Sequence, residues 1–584
     1  MKSNPIRTPA ARRPYLKNET AMSTFTPKKY QESALASVEH YFRDCQQMGH
    51  ADYAFQETTR ALWGRKSDFR PLSGFPVEMP YFCLRVPTGG GKTYLAAKSV
   101  ALVNSRLLHT EHSVILWLVP STAIREQTLA GLRQVDHPYH MALREAGPVS
   151  VIDLDEAKAL TRSMLETSTV VIVANRQAFQ VDDEEIRKVY ESSGALMHLF
   201  DGLTAEQRAG LLTDGDGKTI PFSLVNALRL RRPFVIVDEA HNSRTELGFE
   251  TLAKFKPSGI MELTATPDTE RTPSNVLHSV SAVELKREEM IKLPIQLETV
   301  PDEQRCLALA LDQCEQLGIR AARERVAGAP YLRPLVLIQS EPKSATKATR
   351  HAEWVKRELM ENHRIPEEEI VIATGSERGL EALAESYEGG VFSEKCPAKY
   401  IITQKALAEG WDCAFAYVLV SLAGVKSSTA VEQLLGRILR QPQARRRQDE
   451  ALNRSYAFVV SRDFGETAEA LRDCLVQTSG FNRQEAVDFV AARKEEQAKL
   501  DFKRGAGRIQ ITPVEVKLTE DLDVSAMPAE IRRKVQWNKK DKTLTITAPM
   551  SEEEAEEVQA AAVMEDTREA IRKAGEASRT TAVE

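Results

Sequence analysis

Short runs of Val, Ile and Leu recur along the chain, and between them apolar residues return every three to four positions. The first pattern predicts buried strands, the second amphipathic helices. From about Phe25 to Leu285 the candidate strands are 81–86, 113–119, 170–173, 234–237 and 260–263. Their nearly continuous apolar character fits a parallel sheet covered on both faces, and the intervening helices make the block α/β. A second α/β block runs from about Leu293 to Asp463, with strands at 334–338, 370–373, 400–403, 417–420 and 456–460. Between its first two strands, Ala348, Ala352, Val355 and Leu359 share one helix face.

The segment from Ser192 to Arg232 interrupts the first block with helical and loop-like sequence and a turn at Asp214-Gly215-Asp216-Gly217. It serves packing, or it is a lid or a nucleic-acid contact. After about Gly465 the character changes. Glu466 to Lys499 reads as helical, and Arg508 to Leu518 alternates like a strand. Val535-Gln536-Trp537 and 543–548 read as a hairpin around Asn538-Lys539-Lys540-Asp541, and a charged Glu/Ala-rich helix with no obvious partner starts at Ser551. The predicted division is a disordered basic arm at 1–24, a first α/β domain at 25–290 with its insertion at about 192–232, a second at 291–465, and a smaller mixed α+β region at 466–584.

Candidate chemistry concentrates at strand ends. Val86-Pro87-Thr88-Gly89-Gly90-Gly91-Lys92-Thr93 closes the first strand and opens a helix. Glycines let consecutive backbone N–H groups fold around an anion, and the helix adds its positive N-terminus. Lys92 then reaches the β- and γ-phosphates of a nucleoside triphosphate, and the Thr93 hydroxyl sits on magnesium. The first motif position is Val86 where glycine is usual, so Gly89 must supply the tight turn; the alternative is a flexible glycine-rich turn. The second block has no such cradle, which suggests one site shared at the junction. Asp238-Glu239-Ala240-His241 follows another strand. A strand-end Asp suits magnesium and an adjacent Glu can activate water, although an acidic pair at a helix start is also common. Leu263-Thr264-Ala265-Thr266-Pro267 is either a strand cap before a proline turn or a link to a second surface. Gln433, Arg437 and Arg440 fall on one face of a predicted helix, as arginine fingers or as a solvated basic face. Arg445-Arg446-Arg447 reads as such a solvated face or as a phosphate-backbone contact.

Composition narrows this modestly. At 584 residues and 42% hydrophobic, the chain can bury several cores, and a net charge of -5 gives no global nucleic-acid signature. The 7 cysteines form no C-x-x-C pair, so neither zinc nor a disulfide framework is indicated, and a reducing cytoplasmic home fits best. No apolar run is long enough to span a bilayer. The basic N-terminus, with Arg7, Arg12, Arg13 and Lys17, lacks the apolar centre of a secretory signal, and Met22 is an alternative start to Met1.

In their order, these motifs resemble those of superfamily 2 DEAD/DEAH-type helicases, and most closely the helicase (Res-type) subunit of type III restriction enzymes. Val119-Pro120-Ser121-Thr122-Ala123-Ile124-Arg125-Glu126 is similar to that family's first strand-contacting motif. Lys405-Ala406-Leu407-Ala408-Glu409-Gly410-Trp411-Asp412 is similar to the fifth, and Gln433 to Arg440 to the sixth. Tyr30-Gln31 stands where a Gln reads the adenine edge in related enzymes. The resemblance implies two tandem RecA-like domains with ATP and Mg2+ between them. Thr88 to Thr93, Gln31, Gly410, Asp412 and Gln433 would bind nucleotide, and Thr93 and Asp238 would hold the metal. Glu239 would activate water, Arg437 and Arg440 would close from the other domain, and His241, Thr264 and Thr266 would couple hydrolysis to movement. Pro120, Ser121 and Arg125 would touch DNA, duplex in particular, mainly through phosphates.

The family's nuclease is expected further on, so the chain is expected to stop before a domain its relatives carry. Glu515-Val516-Lys517, with Asp501 upstream, mimics a nuclease metal motif, yet an exposed strand of alternating charge gives it freely. Asn538-Lys539-Lys540-Asp541 mimics a guanine-reading motif in the wrong place. Intrinsic nuclease activity is therefore not expected. The functions left open are an ATP-dependent DNA motor, the motor part of a restriction or phage-defence complex with separate nuclease or methylation/specificity subunits, and a nucleotide-gated DNA-binding scaffold with little turnover. Lys92, Glu239 and Arg437 together argue against the scaffold.

Overall fold

The computed structural model describes residues 26–175, 189–214, 217–240, 246–268, 273–343, 349–374, 377, 379–387, 389–404, 413–422, 438–477, 480–492, 514–524, 527–532, 534–547, 550–562 and 564–580. Contacts divide the chain into two compact units, 1–494 and 495–584.

The first unit contains two parallel seven-stranded sheets. One is built from β1 Tyr81–Arg85, β2 Val114–Val119, β3 Val149–Asp153, β4 Thr169–Asn175, β5 Phe234–Asp238, β6 Gly259–Thr264 and β7 Val276–Ser279, in the order β3-β4-β2-β5-β6-β1-β7. The other is built from β8 Ile295–Val300, β9 Leu335–Gln339, β10 Ile370–Ile372, β11 Tyr400–Thr403, β12 Ala416–Ser421, β13 Ser455–Val460 and β14 Val490–Ala492, in the order β10-β11-β9-β12-β13-β8-β14. Renumbered from its own first strand, the second sheet repeats the order of the first. These are two RecA-like lobes.

Period-two alternation decides what each face of the first sheet buries. Phe82, Leu84, Ile115, Trp117 and Ile236 join a core that continues into the second lobe. Tyr81, Leu116, Leu118, Val235 and Val237 face the opposite way, where Leu196, Leu199, Phe200, Leu224 and Val225 cover them. The described part of the 192–232 insertion therefore packs against the sheet. In the second lobe Ala352, Val355 and Leu359 of helix Ala352–Glu361 are buried, as the one-face pattern predicts, while Ala348 lies outside the described residues.

Four strands were not anticipated. β3 and β7 are sheet edges, and β8 carries Gln296 and Glu298 inside its apolar pattern. The fourth, β14, corrects the helical reading of 466–499. Helices Phe464–Gln477 and Arg483–Phe489 form there, but Val490–Ala492 pairs in parallel with β8 and completes the second sheet.

The second unit holds β15 Val514–Lys517, β16 Val535–Asn538 and β17 Thr543–Ile546 as an antiparallel sheet, with the predicted hairpin between β16 and β17. The charged segment after Ser551 forms two helices, Glu552–Ala560 and Glu565–Thr580. It does have a partner: Val558, Ala562 and Ile571 close the core with Leu518, Val535, Leu544 and Ile546. Those few apolar positions suffice because the sheet supplies the rest of the buried surface. Among the described residues no helix is long and apolar enough to cross a membrane.

Candidate functional site

β1 delivers the chain into the glycine loop, and the loop folds as only glycines allow. Gly89 and Gly91 have φ of +84° and +76°, conformations costly for other residues. A Cβ on Gly90 would lie 2.5 Å from Val86 Cγ1, and one on Gly91 would lie 2.8 Å from Gln31 Nε2. Tyr30 pins the loop from behind by donating its hydroxyl to the Gly90 carbonyl at 2.8 Å. Helix Lys92–Leu102 then starts with Gly91 as its N-cap, so no side chain caps its first N–H groups. That end is open to an anionic ligand.

Facing the loop, β5 ends in the acidic pair. Lys92 Nζ sits 2.6 Å from Glu239 Oε1. Asp238 is 8% exposed and accepts from the Glu239 backbone N–H at 3.0 Å. Burial and the neighbouring Glu239 raise the Asp238 carboxyl from 3.8 to about 6, against the opposing pull of the Lys92 and Arg440 charges. Glu239 has φ +49°, strained for a residue with a side chain, and such strain tends to persist where geometry serves function.

Arg440 reaches this place from the second lobe. Ile291 and Arg440 form an isolated antiparallel bridge, with Lys292 N donating to Leu439 O at 2.6 Å and Gln441 N to Met290 O at 3.0 Å. The bridge lies against the glycine loop, since a Cβ on Gly89 would meet Ile291 Cγ2 at 3.1 Å and Arg440 Cγ at 3.5 Å. The helical placement of Arg440 is thereby corrected. Gln441 is extended before Pro442, which cannot continue a helix, so the chain leaves the helix after Ile438 and pairs with the interlobe linker.

Residues 24–269 match the family model described as Type III restriction enzyme, res subunit. The chain carries a superfamily 2 helicase domain related to that subunit. No curated protein matches the sequence. Among solved structures, one similar to it is an ATP-dependent Type ISP restriction-modification enzyme, LlaBIII, bound to DNA, with 14% identity and a TM-score of 0.40. That match covers 78% of this chain and 30% of the other.

Within the helicase domain, Thr264 and Thr266 lie at the end of β6, where Thr264 Oγ1 accepts from the Thr266 N–H at 3.1 Å. Val86 N donates to Thr264 O at 2.9 Å, so this strand end and the glycine loop are adjacent. Pro120 and Ser121 follow β2. Ser121 caps helix Thr122–Arg133 by accepting from Ile124 N, and the half-buried Arg125 stands on its first turn. Gln31 is 1% exposed, and its amide is engaged by Lys28 N at 2.9 Å and Tyr30 Oη at 3.3 Å. In this conformation it therefore supports the loop. His241, Gly410, Asp412, Gln433 and Arg437 lie outside the described residues, as do Asp501 and Met22.

Arg447 corrects the solvated-face reading of 445–447. Its side chain is 4% exposed, 3.6 Å from the equally buried Glu324, and it donates to Pro330 O at 3.0 Å. Arg446 does face solvent, paired with Glu450. Glu515 and Lys517 are exposed on β15. Four contributors at or beside the site have contacts that the sequence motifs do not give. Tyr30 and Ile291 touch the glycine loop. Lys28 donates to Ala444 O at 3.1 Å across the lobes. Lys292, fully buried, donates to the Ala414 and Ala416 carbonyls at 3.0 and 2.8 Å and lies 3.8 Å over the Tyr417 ring. A lysine inside the apolar run Met290-Ile291-Lys292-Leu293 was the available signal for the last.

Proposed function

We propose that this chain is an ATP-dependent DNA helicase or translocase that hydrolyses ATP between its two RecA-like lobes and works in a restriction or phage-defence setting. The observation that carries the reading is convergence: Lys92 and the Asp238–Glu239 pair of one lobe and Arg440 of the other meet around one glycine loop.

The residues suit the chemistry. The uncapped helix start and the loop N–H groups receive phosphate oxygens. Lys92 now neutralises Glu239, and a triphosphate competing for Lys92 would release that carboxylate to orient and deprotonate water. A magnesium ion fits as well. It needs only one or two carboxylates plus phosphate oxygens, and Asp238 and Thr93 supply the protein's share. Among the described residues no cluster of three His, Cys, Asp or Glu side chains offers an all-protein site instead. When bound, the ion would screen phosphate charge, and a cation beside Asp238 relieves the cost of its burial. Arg440, with Arg437, would stabilise the charge that develops during transfer. The phosphate contacts would bias the lobes toward closure and the products toward opening. Thr264 and Thr266, adjoining the loop, would relay this to a strand held by Pro120, Ser121 and Arg125.

The test is ATP hydrolysis with duplex DNA, single-stranded DNA and RNA, each across a salt series. Duplex-stimulated hydrolysis that weakens with salt is expected. Nucleotide binding with no turnover under any of these conditions would leave a gated scaffold, and stimulation by RNA alone would redirect the substrate.

A further inference from the structure

After β13 the chain leaves the second sheet, forms helices Phe464–Gln477 and Arg483–Phe489, and returns as β14. Both ends of this helical arm are hydrogen-bonded into the second sheet, because β13 and β14 each pair with β8. Its tip lands on the first lobe. Gly480, at φ +77°, packs so closely on the Thr264-Ala265-Thr266 strand end that a Cβ there would lie 2.3 Å from Ala265 O and 3.2 Å from Ala265 Cα. Arg85, the last residue of β1 and the one before the glycine loop, donates Nη2 to Gly480 O at 2.8 Å and Nε to Ala265 O at 3.5 Å. One guanidinium thus holds a carbonyl from each lobe. Farther along the arm, Glu485 Oε1 accepts from Val283 N at 3.4 Å, and Lys286 Nζ lies 4.8 Å over the Phe489 ring. Helix Ala282–Arg287, which receives both contacts, packs Leu285 beside Gly90.

None of these arm residues belongs to the motifs that form the nucleotide site. We propose that the arm is the second lobe's contact on the Thr264-Ala265-Thr266 strand end, with Arg85 and Gly480 as positioning residues that transmit lobe movement between the nucleotide site and the nucleic-acid face. The approach of Gly480 to Ala265 is backbone on backbone, so no flexible side chain lies between those two segments to absorb a displacement. Arg85 is also paired with Thr264 in the sheet, so a pull on the arm reaches both the glycine loop and the strand end. Close-packed interfaces convert such small displacements into discrete rearrangements.

This inference rests on the ATPase reading, and the experiment separates the two. Arg85→Met keeps length and apolar body but loses both donated bonds, while Gly480→Ala forces a methyl into the contact. ATP hydrolysis would be measured with and without duplex DNA, together with binding of a fluorescent ATP analogue and melting temperature. Both variants should keep DNA-free hydrolysis and analogue affinity within about twofold and lose about fivefold or more of the DNA stimulation, the lower end of ordinary coupling between sites. Should Gly480→Ala fold poorly, Arg85→Met decides. Wild-type stimulation in Arg85→Met overturns the arm's role, as does an equal loss with and without DNA. Absence of DNA-stimulated hydrolysis in the unmodified protein would instead overturn the motor reading, and the coupling with it.

Discussion

The two lobes repeat one strand order, yet the glycine loop and the acidic pair stand in the first, and the difference lies in the residues just past equivalent strands. β1 runs into the glycine loop and a helix whose N-cap is Gly91. β8, its counterpart, runs into Pro301 and helix Glu303–Val326, capped by the Asp302 side chain accepting from Arg305 N at 2.8 Å. In the second lobe a side chain caps the helix N-terminus, and in the first none does. β5 ends in Asp238 and Glu239, whereas β12 ends in Ser421, fully buried and donating to Gln339 Oε1 at 2.9 Å. The fold is therefore neutral as to function, and a handful of residues beyond two strand ends separates the lobe proposed to grip nucleotide from the lobe proposed to complete the site.

The strongest way to break this comparison is to exchange its chemistry for its scaffold. Lys92→Ala and Glu239→Gln should each lower ATP hydrolysis by about a thousandfold or more, roughly 4 kcal/mol of transition-state stabilisation. Glu239→Gln should still bind a fluorescent ATP analogue. Ser421→Ala, at the matching strand end of the second lobe, should leave hydrolysis within about twofold, since it removes one buried hydrogen bond worth about 1 kcal/mol of stability. Near-normal turnover in Glu239→Gln would refute its assignment as the base.

The second lobe's contribution should emerge in Arg440→Ala. Turnover is expected to fall by about a hundredfold or more, the range below a full arginine-finger effect, with analogue affinity changed far less. The opposite split, weak binding with normal turnover, would make Arg440 a binding residue only. A smaller effect, confined to stability, should distinguish the buried Arg447. Glu324→Gln would leave Arg447 charged and buried, at a cost of about 3 kcal/mol or more, read as a lower melting temperature of the second lobe. Hydrolysis per folded molecule should be unchanged. Lost hydrolysis in a normally folded Glu324→Gln protein would show that this ion pair, too, serves the site.

How much of the molecule was legible in the sequence depends on how locally each feature is determined. The glycine loop and the acidic pair are contiguous and sit at the ends of strongly apolar strands, so their type and place were legible together. The strands that escaped notice lacked that signal. Val149–Asp153 and Val276–Ser279 are edges, where polar residues (Ser150 and Asp153, His278 and Ser279) interrupt the apolar run. Ile295–Val300 holds Gln296 and Glu298, and Val490–Ala492 is only three residues long. Arg440 reads as helical from its spacing but stands in an isolated bridge, because its partner Ile291 is remote in sequence. Arg447 looked solvated because its partner Glu324 lies on another helix. The reach of Arg85 to Gly480 has no sequence signature at all, being fixed by how the lobes meet.

The subtlest comparison of the two strand ends concerns stability in the absence of nucleotide. Burial, and Glu239 beside it, raise the Asp238 carboxyl from 3.8 to about 6. The folded chain therefore retains a proton there that the unfolded chain gives up. The stabilisation this provides is fully present below about pH 4 and is lost as pH rises through about 6. At pH 7.5 the first lobe then carries a buried carboxylate at a cost that an amide would not incur. Asp238→Asn keeps an oxygen for the Glu239 N–H, so it should melt roughly 2–4 °C above the unmodified protein at pH 7.5, with the gap closing toward pH 4. Its hydrolysis should nonetheless be lost, because an amide is a poor ligand for magnesium. Ser421→Ala should show no pH-dependent difference at all. If Asp238→Asn instead melted lower at pH 7.5, the charges of Lys92 and Arg440 would already outweigh burial, and the acidic pair would be a stabilising feature of the first lobe rather than a cost held in reserve for the metal and the phosphates.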